Sequence, residues 1–553
     1  NTTASNNTAV GHASLGVTTT GHSNTAIGQG SAENITTGNH NTGVGRNSLG
    51  SLTTASNSVA IGQSALFANT TGENNTAVGA YALDANTTAA NNVALGKGAL
   101  TACTTSPSNT CVGQNAGGAI TTGNGENVCV GNNAGAGMTT GQQNIIIGDN
   151  ACANGTLTAA ANVIIGDNAG LNLSTGTGLV ALGYRTLASN TTGSRNTALG
   201  YECLASVTTS AYNTAVGYAA GDAINTGEGN TLLGDNAGSG ITASAHNVAI
   251  GRNSLSLGTD GIQENVAIGY ASLYNNANGD YNVAVGSHAH NACTNGSYNV
   301  AVGKDAMISS TSATKCVAVG HDALQANTSA TNNVAVGESA LKFTTTGYEL
   351  TGVGKNALIN NTTGYQNVGV GVSAGSNIST GARNTCVGTT GPVSTGNYNL
   401  IIGYNAGEAA SPSGQLTTQS GNICLGDNNI SNLFCADTSI SSSDSRDKTD
   451  VTSFNIGLDW IKALRPVTYR WDRRTWYGTE EEPFGTPDGS KKRNKLHIGF
   501  LAQEALEVEK SNGYGTSNDD SLIVNLNEDG MSYGMKYERL VPILVNAIKE
   551  LSA

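Results

Sequence analysis

One tandem repeat of 17 residues restricts the fold of this chain more than any other feature of its sequence. The phrase Asn-Thr-Ala-Val-Gly first ends at Gly11 and occurs, with variations, 25 times up to Gly426. Nearly every step between successive glycines is 17 residues; three are 18, and the last two are 15 and 23. A unit this short cannot bury its own apolar face, so neighbouring units must stack on one another.

Each position of the repeat has a physical role. The residue before the glycine is always Val, Ile or Leu, and the residue between it and an earlier Thr or Val is usually small, as in Val59-Ala60-Ile61. This large–small–large order predicts a short strand, and the glycine allows a turn that a Cβ would hinder. The chain is therefore expected to be mainly β, with 25 coils forming a parallel β-solenoid or β-roll about 120 Å long.

The small middle residue of each strand predicts an oligomer. A lone solenoid with so few large apolar residues per coil would be marginally stable. Three rolls packed around an axis would bury the alanine–glycine face of each strand, so a homotrimer is expected.

The repeat resembles the head repeats of trimeric autotransporter adhesins and similar repeats in phage and bacterial tail fibres. Asn57-Ser58-Val59-Ala60-Ile61-Gly62 and Asn247-Val248-Ala249-Ile250-Gly251 carry this resemblance, which covers roughly residues 1–426. It implies a left-handed parallel β-roll trimer. The adhesin period is shorter than 17, so the loop side of each coil does not transfer.

Charge and hydropathy exclude two classes of function. The net charge is −13 with no basic face, which excludes a nucleic-acid-binding protein. No apolar run approaches the length of a membrane-spanning helix, so no membrane insertion is expected. Because the sequence begins at Asn1 rather than a methionine, an N-terminal attachment segment is expected to precede it.

Neither a metal nor a cofactor is expected from the motifs of the repeat. Asp149, Asp167, Asp235 and Asp427 follow the repeat glycine and are interpreted as hydrogen-bonding turn residues, although rings of them in a trimer could hold a cation. His288 and His290 bracket Ala289 and could share a face, but they lack companions at ligand spacing.

The ten cysteines contain no CxxC pair and are interpreted as small buried hydrophobes, with disulfides between coils left open. They are Cys103, Cys111, Cys129, Cys152, Cys203, Cys293, Cys316, Cys386, Cys424 and Cys435.

A second domain begins where the composition changes. All three tryptophans and 15 of the 25 Lys and Arg residues follow Ser443. We therefore assign residues 1–426 to the solenoid, 427–442 to a connector and 443–553 to a small α+β domain. Its predicted elements are a helix over 455–464 capped by Ser453, strands over 467–471, 497–502 and 521–527, and helices over 503–510 and 536–551. The last helix carries apolar residues at a spacing that suits a three-helix seam, namely Tyr537, Leu540, Leu544, Ile548 and Leu551.

This domain resembles the intramolecular chaperone, or auto-processing, domain at the C-terminus of endosialidases, phage tail spikes and L-shaped tail fibres. Four ordered segments carry the resemblance: 443–448, 461–469, 497–504 and 537–551. It implies a domain that trimerises, drives the folding of the fibre and then cuts itself off. Carried over residue by residue, Ser443 is the nucleophile and Lys448 the base, with the cut between Ser442 and Ser443.

A serine hydroxyl is a weak nucleophile until a base accepts its proton, and a lysine can do so only when its pKa is lowered. Asp444 and Arg446 are candidate supporting residues: Arg446 either lowers the pKa of Lys448 or holds the oxyanion, whereas Asp447 would raise that pKa. The chain would be an enzyme only in this single-turnover sense, with no external substrate. The plain alternative is a polar linker that is never cut.

The resulting hypothesis is a trimeric viral tail fibre or receptor-binding adhesin, located in the virion or on an extracellular surface. Its partners would be a host cell-surface receptor, either glycan or protein, and other virion tail proteins. One alternative is a cellular trimeric surface adhesin with an uncut C-terminal trimerisation domain. The other is a polysaccharide-degrading tail spike, which would require a catalytic cleft in the solenoid.

Overall fold

The chain divides into two compact units, Asn1–Glu408 with Leu416–Gly426, and Ala409–Gln415 with Asp427–Ala553. We call the first the solenoid and the second the C-terminal unit. The computed structural model describes residues 3–259, 261–388, 392–409, 411, 413–430, 449, 451–478, 482, 484–517, 519–526 and 533–553.

The solenoid contains 25 strands of three residues each, and every strand pairs in parallel with the next one along the chain. Strands β1 to β25 are Thr8–Val10, Thr25–Ile27, Thr42–Val44, Val59–Ile61, Thr76–Val78, Val93–Leu95, Thr110–Val112, Val128–Val130, Ile145–Ile147, Val163–Ile165, Val180–Leu182, Thr197–Leu199, Thr214–Val216, Thr231–Leu233, Val248–Ile250, Val266–Ile268, Val283–Val285, Val300–Val302, Val317–Val319, Val334–Val336, Thr351–Val353, Val368–Val370, Thr385–Val387, Leu400–Ile402 and Ile423–Leu425. The pairing keeps equivalent residues in register, as in Val59↔Thr76. The predicted parallel β-solenoid is confirmed.

The side chains of each strand face opposite to the sequence-based expectation. The small middle residue, such as Ala60, is fully buried inside the roll, while the flanking Val59 and Ile61 face outward. The expectation that the alanine–glycine face lies outward, against other copies, is therefore wrong. The reason is the thinness of the roll: a Cβ added at Gly43, a middle position, would meet Ser48 and Leu49 from the opposite side of the coil.

The repeat glycine is required by both conformation and space. Gly217 has a φ of +141°, and a Cβ there would lie 2.3 Å from the carbonyl oxygen of Gly234 in the next coil. The same arrangement recurs along the solenoid, for example at Gly62 against Gly79. The predicted role of this glycine is confirmed, with the addition that it also permits close contact between coils.

A ladder of buried asparagines runs through the roll, at the position just before most strands. Asn213 accepts hydrogen bonds on its Oδ1 from the backbone N–H of Asn230 at 3.0 Å and from the Asn230 Nδ2 at 3.1 Å. Asn230 in turn donates from Nδ2 to the carbonyl of Ser244 at 2.8 Å. Each carboxamide therefore joins the coil before it to the coil after it. No role for this asparagine was predicted from the sequence.

The nine described cysteines are all buried, and none of them is in a disulfide bond. Burial raises the pKa of the Cys203, Cys293 and Cys386 thiols to about 12. Cys111 and Cys129 occupy the middle positions of adjacent strands β7 and β8. The interpretation of these nine residues as small buried hydrophobes is confirmed, whereas Cys435 lies outside the described residues.

The C-terminal unit combines three α-helices with two short antiparallel sheets. Its elements are α1 (Leu458–Ala463), β26 (Val467–Tyr469), β27 (His497–Gly499), α2 (Ala502–Ser511), β28 (Val524–Leu526), β29 (Tyr533–Met535) and α3 (Leu540–Ser552), with 3-10 helices at Arg474–Trp476 and Tyr537–Arg539. Strand β26 pairs with β27, and β28 pairs with β29.

The predicted elements of this unit exist, with shorter strands and three further differences. Helix α1 begins at Leu458 after Gly457, without a side-chain cap, so the predicted Ser453 cap is wrong. A 3-10 turn over Tyr537–Arg539 precedes α3, which shortens the predicted last helix at its start. Strand β29 was not predicted, because Tyr533-Gly534-Met535 is short and contains a central glycine.

Replacing Gly217 by alanine should destabilise the solenoid by about 2–4 kcal/mol, because the Cβ would overlap the Gly234 carbonyl and the residue would keep a strained φ. Gly16→Ala is the matched control, since its Cβ would meet no atom closer than 3.5 Å; its effect should stay within about 1 kcal/mol. Denaturant unfolding followed by circular dichroism measures both changes. Equal stability of the two variants would contradict the steric role of Gly217.

Candidate functional site

The outward side chains of β1–β25 form a continuous apolar stripe, which we call the apolar ridge. It consists of the first and third residues of each strand, mostly Val or Thr followed by Val, Ile or Leu. Ile61, Leu95 and Leu233 are 41%, 45% and 46% exposed although they are large and apolar. Because the strands stack about 4.8 Å apart, these residues line one side of the solenoid from end to end.

Such a stripe is unusual for an isolated chain. Monomeric soluble proteins rarely expose contiguous apolar patches of more than a few hundred Å². The ridge repeats in every coil, and its β-branched and other apolar side chains are therefore regularly spaced along the solenoid. It is therefore a surface suited to packing against another regular apolar surface.

A second apolar surface lies on helix α3. Leu540, Ile543 and Ala547 are buried against the C-terminal unit. The opposite side of the helix exposes five apolar residues, Val541, Leu544, Val545, Ile548 and Leu551. Of the residues predicted for a three-helix seam, Leu544, Ile548 and Leu551 are exposed, whereas Leu540 packs into the core of the unit and is wrongly placed in the seam. The seam itself stays a prediction.

Tyr537, the first residue predicted for the seam, is 45% exposed but also makes a contact within its own unit. Its hydroxyl accepts a hydrogen bond from the backbone N–H of Phe500 at 3.1 Å, just after β27. Tyr537 therefore ties the start of the last helical segment to its own unit.

Helix α3 also holds the chain that precedes α1. Asn546 donates from Nδ2 to the carbonyls of Phe454 at 2.6 Å and Ile456 at 3.2 Å, and Glu550 accepts from the backbone N–H of Leu458 at 2.7 Å. Neither residue was predicted to have a role; the only signal in the sequence is that Asn546 is the single polar residue in an otherwise apolar run over 540–548. These contacts fix the start of α1 to α3.

An open apolar pocket of about 310 Å³ lies beside these contacts, lined by Phe454, Leu522, Arg539, Pro542 and Ile543. A buried carboxylate supports its wall. Glu509 on α2 is fully buried and accepts hydrogen bonds from the Ser521 hydroxyl at 3.1 Å and the backbone N–H of Val524 at 2.9 Å. Glu509 thereby anchors the segment that leads into β28.

The predicted cleavage residues lie outside the described residues. These are Ser442, Ser443, Asp444, Arg446 and Lys448, together with the neighbouring Asp447. Description of the chain resumes at Thr449 and then at Val451. The assignment of a nucleophile, a base and supporting groups among them stays a prediction.

The two histidines do not share a face. The His288 imidazole lies at the surface, 3.6 Å from an Asp305 carboxylate oxygen. His290 is fully buried, and within the described part of the chain neither of its ring nitrogens has a hydrogen-bond partner. His290 occupies the core position that Leu273 and Leu324 fill in other coils.

One group of side chains near the surface has metal-ligand types, namely Asp305, His321 and Asp322, with ligand atoms within 4.8 Å of one another. Lysines neutralise both carboxylates. Lys304 pairs with Asp305, and Lys342 lies 2.9 Å from Asp322. The group is therefore an ion-pair network between coils.

Residues 443–514 match the family model described as chaperone of endosialidase. The matched segment starts at Ser443 and includes α1, β26, β27 and α2. Neither the curated proteins nor the solved structures compared with the chain show a significant match. The chain thus joins a β-solenoid body to a C-terminal segment similar to the chaperone of endosialidase.

Among the described residues, no helix is both long enough and apolar enough to cross a membrane.

Replacing His290 by leucine should stabilise the solenoid, and more so in acid. Burial lowers the pKa of His290 to about 4 from its ordinary 6.5. The unfolded chain therefore binds a proton as the pH falls through 6.5, whereas the folded chain does so only near 4. The free energy of unfolding therefore falls by about 3 kcal/mol as the pH decreases from above 6.5 to below 4.

The measurement is chemical unfolding of the wild type and His290→Leu at pH 7, 5 and 4. His12→Leu is the control, because it removes an exposed histidine without changing the core. The advantage of His290→Leu over the wild type should grow from pH 7 to pH 4. An advantage that does not change with pH would contradict the cost assigned to protonating His290.

Proposed function

We propose that this chain is a homotrimeric fibre, either a viral tail fibre or a receptor-binding adhesin, whose C-terminal domain directs trimerisation and folding and then releases itself. The observation that carries this proposal is the match of residues 443–514 to the chaperone of endosialidase, directly after a 25-coil solenoid. The fibre would act in the virion or on an extracellular surface, together with other tail proteins and a host receptor. Its domains would be residues 1–426, a connector over 427–442, and 443–553.

The apolar ridge supports the trimer. Three solenoids that turn their ridges toward one axis would remove the exposed Val, Ile and Leu side chains from water, at about 25 cal/mol per Å² of apolar surface. Equivalent residues of each copy would meet at the same height, since every coil presents the same pattern. The exposed face of α3 offers the same chemistry at the C-terminal end, where three helices could pack along Leu544, Ile548 and Leu551.

A repetitive ridge also creates a problem that a folding domain would solve. Each coil resembles the next, so one copy could slide against another by a whole coil with little loss of contact. Parallel pairing between distant strands is also slow to form. A trimerising domain of unique sequence at one end would set both the number of copies and their register before the ridges close.

Self-cleavage would proceed by an acyl shift. The Ser443 hydroxyl attacks the carbonyl carbon of Ser442 while the neutral amine of Lys448 accepts the hydroxyl proton. The peptide bond breaks, the Ser443 nitrogen leaves as an amine after receiving a proton, and an ester joins the Ser442 acyl group to the Ser443 oxygen. Water then hydrolyses the ester. Because the lysine must be neutral, the cut would depend on surroundings that lower its pKa.

The wild-type chain should yield two fragments of 442 and 111 residues, from a cut after Ser442 in the 553-residue chain. Ser443→Ala and Lys448→Ala should each abolish the cut, because one removes the nucleophile and the other the base. Ser442→Ala is the control and should still cut, since it keeps both groups. Denaturing gels with intact-mass measurement give the outcome. A wild-type chain that stays full-length would contradict cleavage and favour the uncut adhesin.

Leu544→Glu with Ile548→Glu should convert the trimer to smaller species, because two charges per copy would enter the proposed helix seam. Lys549→Glu is the matched control on the same helix, at an exposed polar position. All variants are made in the Ser443→Ala chain so that the C-terminal domain stays attached. Light scattering after size-exclusion chromatography measures the mass. Trimers of unchanged mass in the double variant would exclude α3 as the assembly surface.

A further inference from the structure

A stack of aromatic and cationic side chains runs along the turns before strands β21–β24. The Tyr348 and Tyr365 rings are parallel within 5°, with centroids 5.1 Å apart. The guanidinium carbon of Arg383 lies 5.4 Å from the Tyr365 ring centroid and 5.1 Å from that of Tyr398. One group from each of four successive coils thus forms the column Tyr348–Tyr365–Arg383–Tyr398.

Arg383 is held in place but keeps further donors. Its Nε donates to the Gln366 Oε1 at 2.9 Å, and one Nη1 hydrogen is donated to the Tyr398 hydroxyl. Gln366 is itself fixed, since its Nε2 donates to Glu349 at 2.8 Å. A guanidinium has five N–H donors, so these contacts use two and orient the plane. The Arg383 side chain is exposed, and its remaining donors have no protein acceptor within the described residues.

Within the described residues, the column ends at the exposed ring of Tyr398. In the next coil the position equivalent to Tyr398, five residues before the repeat glycine, is Gly421. A Cβ built at Gly421 would meet no atom within 4 Å, so among the described residues no side chain of that coil covers the Tyr398 ring. Tyr398 is 59% exposed. An exposed flat ring held by the groups below it can act as a stacking platform.

We propose that this platform binds an acidic oligosaccharide that lies along the solenoid. One sugar ring would stack its C–H face on Tyr398 above Gly421, and the carboxylate of the adjoining sugar would accept hydrogen bonds from Arg383. The guanidinium fork suits a carboxylate better than a lysine would. The assignment of this sugar as a receptor rests on the proposed function as a fibre. The platform itself is formed by residues of a single chain.

The location of the platform separates it from the proposed trimer surface. Arg383 and Tyr398 lie in turns, at the repeat position that Glu349 and Gln366 occupy in the two preceding coils. The apolar ridge begins two residues later, at Thr385 and Leu400. Residues at this turn position would stay exposed beside the ridges when the ridges are covered.

The solenoid contains a related pair that serves as an internal control. The Arg195 guanidinium carbon lies 5.4 Å from the Tyr212 ring centroid, and its Nη1 donates to the Tyr212 hydroxyl at 2.8 Å. In the following coil the equivalent residue is again a glycine, Gly229. There, however, the His246 imidazole of the next coil lies 2.7 Å from the position of a Cβ added at Gly229, although Tyr212 is itself 56% exposed. Arg195 also contacts one ring, whereas Arg383 lies between two.

The test uses the full Ser443→Ala chain and hexasaccharides of hyaluronan, polygalacturonate and alginate, with neutral chitohexaose for comparison. Saturation-transfer NMR detects binding, and calorimetry measures its affinity. We expect at least one acidic hexasaccharide to bind, with Tyr398→Ala and Arg383→Gln each weakening it about tenfold or more. Tyr212→Ala should bind as the parent does. Chitohexaose affinity should be lower and insensitive to Arg383→Gln.

Two results would overturn the proposal. One is the absence of binding to all three acidic hexasaccharides at millimolar concentration. The other is an affinity that Tyr398→Ala leaves unchanged or that Tyr212→Ala lowers equally. Circular dichroism and light scattering on each variant show whether the fold and assembly persist. Because cleavage and trimer mass are measured without sugar, failure of the fibre proposal is distinguishable from failure of this site.

Discussion

The buried asparagine ladder is the interaction on which the solenoid most depends. A backbone N–H inside a roll this thin cannot reach water, and leaving it unpaired costs about 1–3 kcal/mol. The Oδ1 of Asn213 satisfies one such group in the next coil, and its Nδ2 donates to the Gly227 carbonyl. Each carboxamide therefore replaces water for the turn before the strand. Ser58, Leu179, Cys316 and Leu350 occupy the same position and divide the ladder into segments.

The ladder and the stacked glycines together decide which residues can fill the core. Asparagine carboxamides occupy one side of the coil and the Leu or Met after the turn occupies the other, so the middle of the strand usually has room only for Ala, Gly or Cys. Large strand residues at the flanking positions then have only the outer face available. An exposed apolar ridge is therefore a direct consequence of how a 17-residue coil satisfies its own backbone, and this ridge supports the proposed association. The small space inside each coil and the apolar surface available for the proposed trimer thus have the same structural cause.

The period of the sequence predicted the strands and their parallel pairing, because Val59-Ala60-Ile61 and its equivalents recur at nearly constant spacing. The prediction that the alanine–glycine face lies outward was wrong, since alternation alone assigns two faces without saying which is covered. Nor did it predict that Leu66 adopts a φ of +53°, a left-handed conformation that propensity disfavours. Full burial of its side chain against neighbouring coils holds it there. Tertiary packing overrides local preference at such positions.

In the C-terminal unit the positions of the helices could be predicted from the spacing of their apolar residues. The surfaces against which these helices pack could not be predicted. Leu540 and Leu544 look equivalent in the sequence, yet the first is buried and the second is exposed. The difference comes from Asn546 and Glu550, which bind the chain before α1 and so fix the rotation of α3. The cleavage residues depend on the family resemblance rather than on geometry. A serine and a lysine five residues apart acquire a catalytic meaning only from their surroundings.

The contrast between the two units explains why they would occur in one chain. A solenoid can be lengthened by adding further copies of the same coil. Because the coils are equivalent, however, nothing within the repeat defines the register in which one copy of the chain should align with another. The C-terminal unit has the opposite character: three tryptophans, unique loops and a helix whose two faces bury different residues. Information about register can therefore reside there rather than in the repeat. If the ridges of the proposed trimer close in register, the C-terminal unit is no longer needed, which gives a physical reason for the proposed cut between Ser442 and Ser443.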